Sequence, residues 1–340
     1  MQLDTWKISG NGFHFGLHGM GQEESAVTFP SDSLFAALVA RLADLEGGDA
    51  VSAWVKTLQV DSPAFALTSA FPQIAGVRLF PRPQRVNLRS QHLQTKDVKK
   101  VDFVSEKIFG QLVRGADFSE LFSEGICLQG RKVLVSREEF ASLPNHLRDQ
   151  DVHIWNVEQR PRVTVGRYPE NSNIFFTGRT SFQPECGLWF GVRWTSKRAD
   201  DATRLAQLLE DLGIVGLGGE RSAGFGKATI TEMGTCELPD ASVGNWVSLS
   251  RYVPREDEVA ALQDKHAAYA IRRVGGWVHS PGVKSERRRT LNILAEGSVL
   301  GSVVRAIPGQ VVDVQPDYNG TRPIGHPVWR NGLAVAVGMA

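Results

Sequence analysis

Apolar and polar residues alternate along the chain in two rhythms, and these divide it into helical and extended stretches. Leu34, Phe35, Leu38, Val39, Leu42 and Leu45 recur at intervals of three and four, which gathers them on one helical face. Ser31 or Asp32 is placed to cap that helix and Gly47-Gly48 to end it. Leu205, Leu208, Leu209 and Leu212 mark a second amphipathic helix, with Asp200 or Asp201 as cap and Gly213 as terminator. Weaker helical spacing joins Phe109, Leu112, Val113, Phe118, Leu121 and Phe122, and another helix is expected over 256–272. Strand rhythm predicts extended runs from Gln2 to Phe15, Phe65 to Val77, Val133 to Val135, Lys227 to Thr231 and Trp246 to Tyr252. Phe175 to Phe182 and Leu188 to Trp194, separated by Pro184-Glu185-Cys186-Gly187, predict a β-hairpin. Arg160 to Arg167 reads as extended, and period-two alternation puts Arg162 and Thr164 on the face opposite Val163 and Val165. The last third is strand-rich, and together the elements predict an α+β chain.

Between the second helix and its following strand lies a glycine-dense stretch, Gly213 to Lys227. Phosphate-cradling glycine loops of nucleotide enzymes run from strand to helix, so the order here is reversed. A dinucleotide-binding pattern counted from Gly216 needs glycine where Arg221 stands. A P-loop ending at Gly226-Lys227 needs glycine at 221 and a hydroxyl at Ala228. A mononucleotide site is disfavoured on both counts. The stretch offers backbone amides, two cations (Arg221, Lys227), a hydroxyl (Ser222) and an aromatic ring (Phe225). Such a set suits a polyanion, through an amide nest, bidentate arginine contacts and base stacking. It equally suits a tight turn whose glycines allow close packing.

Composition narrows the classes. The 340 residues are 42% hydrophobic and 22% charged with a formal net charge of +1, ordinary for a globular protein, so any nucleic-acid surface is local. No apolar run is long enough to span a membrane. One local candidate is the segment from Arg78 to Lys107, where Arg78, Arg82, Arg85, Arg89, Lys96, Lys99, Lys100 and Lys107 outnumber Asp97, Asp102 and Glu106. A solvated charged face explains the same run. Cys127, Cys186 and Cys236 are widely spaced and lack metal-ligand spacing, as expected of a reduced cytoplasmic protein with neither disulfide nor zinc. The eight histidines fall in no catalytic motif; His14 and His18 are the only close pair.

Gly216-Leu217-Gly218-Gly219-Glu220-Arg221-Ser222-Ala223-Gly224-Phe225-Gly226 resembles the glycine-rich loop of RAMP proteins, the RNA-binding superfamily of CRISPR interference complexes. The stretch from Phe29 to Leu38 is similar to their first-helix signature. Phe80-Pro81-Arg82-Pro83, then Lys99 to Ser105, and Arg160 to Arg167 resemble the fourth-named subunit of the type III-A Csm complex. The resemblance implies two ferredoxin-like (RRM-type) units. The first would span 1–232, with a basic insertion over about 78–165, and the second, strand-rich and degenerate, 233–340. It implies a non-catalytic, cytoplasmic subunit for antiviral defence that holds the crRNA 5′ handle and bridges the large polymerase-like subunit to the backbone RAMP subunits. Cofactors and metals would have no part. The expected RNA contacts are Gly218, Gly219, Arg221, Ser222, Gly224, Phe225 and Lys227, then Arg160, Arg162 and Arg167, then Lys99 and Lys100. Two alternatives stay open: a metal-independent crRNA-processing endoribonuclease using His14 or His18 as base, and a structural adaptor without RNA contact.

Overall fold

In the computed structural model the described residues are 1–16, 24–88, 95–165, 172–241, 244–280, 282–318 and 323–340. The opening alternation becomes β1 (Gln2–Gly10), and the apolar stripe after it becomes α1 (Ser31–Glu46), followed by α2 (Gly48–Lys56). Short strands β2 (Phe65–Leu67), β3 (Phe71–Ile74) and β4 (Val77–Pro81) precede α3 (Thr95–Lys100), β5 (Phe103–Ser105), α4 (Glu106–Val113) and α5 (Phe118–Glu124). Next come β6 (Ile126–Leu128), β7 (Val133–Val135) and α6 (Arg137–Ser142). The longest strands follow, β8 (Trp155–Val165), β9 (Ser172–Phe182) and β10 (Cys186–Trp194), then α7 (Ala199–Val215) and β11 (Ala228–Glu237). The remainder holds β12 (Asn245–Ser248), β13 (Ile271–Val274), β14 (Trp277–Val278), β15 (Glu286–Arg287), β16 (Leu291–Leu294), β17 (Val299–Leu300), β18 (Val311–Asp313), β19 (Trp329–Asn331) and β20 (Ala336–Met339).

The main sheet runs β11-β1-β10-β3-β4-β5-β7-β6, with β2 also on β10. β1 is interior, and Ile8 faces Leu188 on one side and Ile230 on the other. β10 is buried along almost its whole length, which its unbroken apolar run from Leu188 to Phe190 anticipates. α1 packs on α2 and α7, and α7 lies on β11. Leu34, Phe35, Leu38 and Leu42 of α1 share one core with Leu205, Leu208, Leu209 and Leu212 of α7 and with Leu3 and Ile8 of β1. Val247, Leu249, Val299, Leu333, Val335 and Val337 belong to that same core, so the strand-rich remainder is joined to the main sheet by buried apolar contact.

Four expectations are corrected. β9 pairs with β8 along eleven residues, whereas β10 enters the main sheet, so the predicted β9–β10 hairpin is a β8–β9 hairpin. Period-two alternation marks a strand without naming its partner. Ser31 and Asp32 do not cap α1, because both side chains are drawn into tertiary contacts: Ser31 Oγ accepts the Arg251 amide, and Asp32 pairs with Arg251. α7 likewise lacks a side-chain cap, Asp201 being paired with Arg198, and it runs past Gly213 to Val215. Gly213 serves close packing instead, since a Cβ there would lie 2.7 Å from the Ala228 carbonyl oxygen of β11. Finally, 256–272 holds a 3-10 segment, Glu256–Gln263, and the start of β13, and among the described residues beyond β11 there is no α-helix.

Candidate nucleic-acid interface

The glycine loop is closed on itself and clamped to the chain leaving β1. Leu217 is fully buried, and its amide donates to the Gly226 carbonyl at 2.9 Å. The Gly219 amide donates to His14 O and the Gly226 amide to Gly12 O, both at 2.9 Å. Gly218 sits at φ +84, and a Cβ there would run into the His14 carbonyl, so the position requires glycine twice over. His14 is buried beneath the loop, its Nδ1 donating to Gly178 O at 2.8 Å. Glu220 adopts a left-handed φ of +55, and Arg221–Ala223 form a single 3-10 turn.

This closure changes what the loop presents. The amides of Leu217, Gly219, Ala223, Gly224, Phe225 and Gly226 are all spent on carbonyls of the protein, so the expected amide nest is largely closed. Arg221, Ser222, Gly224 and Lys227 are exposed, and side chains carry the loop's outward chemistry.

The β8–β9 hairpin meets the loop through Arg162. Its guanidinium lies 5.2 Å from the centroid of the Phe225 ring and 3.6 Å from the Glu220 carboxylate. One strand position earlier on the same face, Arg160 is tied to Glu158 at 2.8 Å, as is Arg179. Hydrogen bonds from these two arginines hold the Glu158 carboxyl below the usual carboxylate range. Arg162 therefore joins the loop, and Arg160 is occupied beside it. Arg167, with Arg89 and His18, lies outside the described residues.

The basic segment is mostly committed to the fold. Arg78 pairs with Glu106 at 2.9 Å and reaches Thr5 Oγ1, Arg82 donates to the Val101 and Pro83 carbonyls, and Arg85 to that of Lys265. Lys99 and Lys100 are exposed on α3, with Lys100 3.9 Å from Asp97. They lie beside β5, four strands from β1 and so roughly 19 Å across the sheet. The structure does not bring them to the loop.

Sequence reasoning missed a second feature. Gly218 and Gly219, with His14 and Phe15, form one wall of a cavity of about 180 Å³. Pro30, Asp32 and Ser33 at the start of α1 and Arg251, Arg273 and Arg288 from the strand-rich remainder complete it. Asp32 accepts from Arg251 at 3.1 Å and lies 3.7 Å from Arg330. The only sequence signal was the Arg287-Arg288-Arg289 triplet in a strand-like run. Among the described residues no group of three or more His, Cys, Asp or Glu is placed to hold a metal.

Residues 242–339 match the CRISPR Csm4 C-terminal domain. The chain is 25% identical over 323 residues to the CRISPR system Cms protein Csm4 of Mycobacterium tuberculosis, covering 92% of this chain and 93% of that one. It is 26% identical over 310 residues to the Csm4 protein of Streptococcus thermophilus, covering 89% of each. Its fold resembles a chain of the Csm3–Csm4 subcomplex of the type III-A CRISPR-Cas interference complex, with a TM-score of 0.67, 17% identity and 99% of each chain covered. A chain of a Csm1–Csm4 cassette in complex with cA4 superposes with a TM-score of 0.59 at 15% identity, covering 100% of this chain and 98% of that one. No helix among the described residues is long and apolar enough to cross a membrane. With a match to the Csm4 C-terminal domain, Csm4 relatives aligned over about nine-tenths of its length and a matching fold, the chain is similar throughout to the Csm4 proteins of type III CRISPR systems.

Proposed function

We infer that the protein is the RNA-holding subunit of a type III interference complex and grips the 5′ handle of a crRNA without cutting it. One observation carries this: the β8–β9 hairpin delivers Arg162 onto Phe225 of a loop whose Arg221, Ser222 and Lys227 face outward. Arginine and lysine suit phosphates, and a ring backed by a guanidinium suits an unstacked base. Gly218 and Gly219 hold the loop in place, Arg160 flanks Arg162 on the hairpin, and Lys99 and Lys100 form a separate, outlying contact; an RNA contact by Arg167 is part of the same reading.

The fold supports the same reading. Strand order β11-β1-β10-β3, with α1 and α7 packed together and α7 on β11, supports a ferredoxin-like first unit. We place its end beyond β11 at Glu237, with the insertion over about 78–165 and a strand-rich second unit after it. The relatives are found with Csm3 and with Csm1, which supports a bridging position between a large polymerase-like subunit and backbone subunits in the cytoplasm.

Crosslinking of the co-purified complex tests this. Attachment of the RNA 5′ end to 216–227 and to 160–167 is expected. Co-purified RNA that never crosslinks to this chain reduces it to an adaptor, and cleavage of repeat RNA that is lost in His14→Ala makes it a nuclease.

A further inference from the structure

The cavity beneath the glycine loop is rich in buried donors and poor in acceptors. Arg288 is 7% exposed; its Nη2 donates to Gly275 O at 2.5 Å, while its Nε and Nη1 have no hydrogen-bond partner. Arg251 Nε and Arg330 Nε are also buried and make no hydrogen bond. Against the guanidiniums of Arg251, Arg273, Arg288 and Arg330 stand two carboxylates, Asp32 and Glu296. Asp32 is shared between Arg251 and Arg330, its Oδ2 making no hydrogen bond and lying 3.7 Å from Arg330 Nη1, and Glu296 Oε1 accepts the Ser69 hydroxyl at 2.5 Å while lying 3.7 Å from Arg251 Nε. Burial and then the neighbouring Arg330 charge lower the Arg288 pKa to about 10, still charged at neutral pH.

Buried donors rarely go unpaired, and a guanidinium cannot shed its charge to escape burial. With four guanidiniums facing two carboxylates, the partner that also balances the charge is an anion with several acceptor oxygens. A phosphoryl group fits the planar donor forks, and about 180 Å³ is close to six water volumes at ~30 Å³ each, room for the phosphate and part of its ester. The amino end of α1, sixteen residues long, adds favourable potential for an anion. Gly218 and Gly219 supply a wall without side chains against which a sugar could rest.

We propose that this cavity is a phosphate-ester site in which Arg288 and Arg251 grip one phosphoryl group, and that its occupancy fastens the strand-rich remainder to α1 and the glycine loop. The site chemistry stands on the cavity alone; only the assignment of that phosphate to bound RNA rests on the function inferred above.

The test uses the full chain and Arg288→Met. Sodium phosphate at ~10 mM, against sodium chloride of equal ionic strength, is expected to raise the wild-type Tm by at least about 2 °C. Arg288→Met should be no less stable than wild type in phosphate-free buffer, because it removes an uncompensated buried charge, and it should not respond to phosphate. If that variant does not fold, Arg273→Ala, an exposed residue on the cavity rim, should cut the phosphate response several-fold at unchanged stability. An octanucleotide RNA identifies the source: binding weakened about tenfold or more in Arg288→Met places an RNA phosphate in the cavity. If 5′-AMP raises the wild-type Tm but not that of Arg288→Met, while RNA binds both equally, the ligand is a free nucleotide. Equal wild-type Tm in phosphate and chloride, or an unaltered phosphate response in both variants, overturns the site. Arg221→Ala separates the two proposals, since it should lose RNA affinity while keeping the phosphate response.

Discussion

Arg162 of β8 lies over the ring of Phe225, 5.2 Å from its centroid, and so fixes a hairpin to a loop sixty residues further along the chain. The contact is partly exposed and is expected to couple the two residues by about 0.5–1 kcal/mol in a double-mutant cycle of Arg162→Ala and Phe225→Leu, read by urea unfolding. Arg162→Lys should recover little of it, because the planar stacking is lost. Strict additivity would show that hairpin and loop are independent.

Gly218 and Gly224 have nearly the same φ, +84 and +86, but only Gly218 faces a carbonyl where a Cβ would stand; Gly224 faces open space. Gly224→Ala should cost about 1 kcal/mol of backbone strain, and Gly218→Ala about 2–4 kcal/mol, with an unchanged m-value. Equal costs would mean that the clamp onto His14 yields without effort.

If the exposed loop cations track phosphates, Arg221→Ala and Lys227→Ala should each flatten the slope of log affinity for single-stranded RNA against log salt by about 0.7. Lys99→Ala with Lys100→Ala should change it less, since Lys100 already neighbours Asp97. A larger effect from the α3 pair would route the RNA across the far side of the sheet.

Cys236 is buried at the end of the main sheet, and its thiol donates to Glu106 at 3.5 Å. Burial, and then the Glu106 carboxylate, push its pKa up to about 12. The folded state therefore holds this proton more tightly than the unfolded chain, whose thiol titrates near ~8.5. The stability is complete below that pH and falls as pH rises from there towards 12, by up to ~1.4 kcal/mol per unit. Between pH 8 and 10 the wild type should lose about 1–2 kcal/mol more than Cys236→Ala in urea unfolding. Parallel losses would show that the thiol ionises freely in the folded protein.

What the sequence disclosed follows a physical divide. α1, α7 and the glycine loop that follows α7 were legible because their signals are local: leucines at helical spacing, and glycines too dense for a regular element. Strand partners were not. Phe175 to Phe182 alternates whether it pairs with β8 or β10, and the choice is made by contacts far along the chain. The false helix over 256–272 fails because Glu258 turns inward, accepting the Tyr252 hydroxyl and the Gly309 amide at 2.9 Å, so its backbone tightens into a short 3-10 segment. The arginine cavity was invisible for the same reason: Asp32, Arg251, Arg288 and Arg330 have no common spacing and meet only in the folded protein.

The interior position of β1 also sets a timetable. Leu188, the partner of Ile8, is made roughly 180 residues after it, about 10–40 s of synthesis at ~5–20 residues per second, and the β11 partner Ile230 later still. Throughout that interval the nascent chain carries an amphipathic strand with both edges bare, so a strand made early is among the last to be covered. Slowing translation should prolong that exposure and raise the aggregated fraction, whereas a circularly permuted chain that begins at β10 would shorten it.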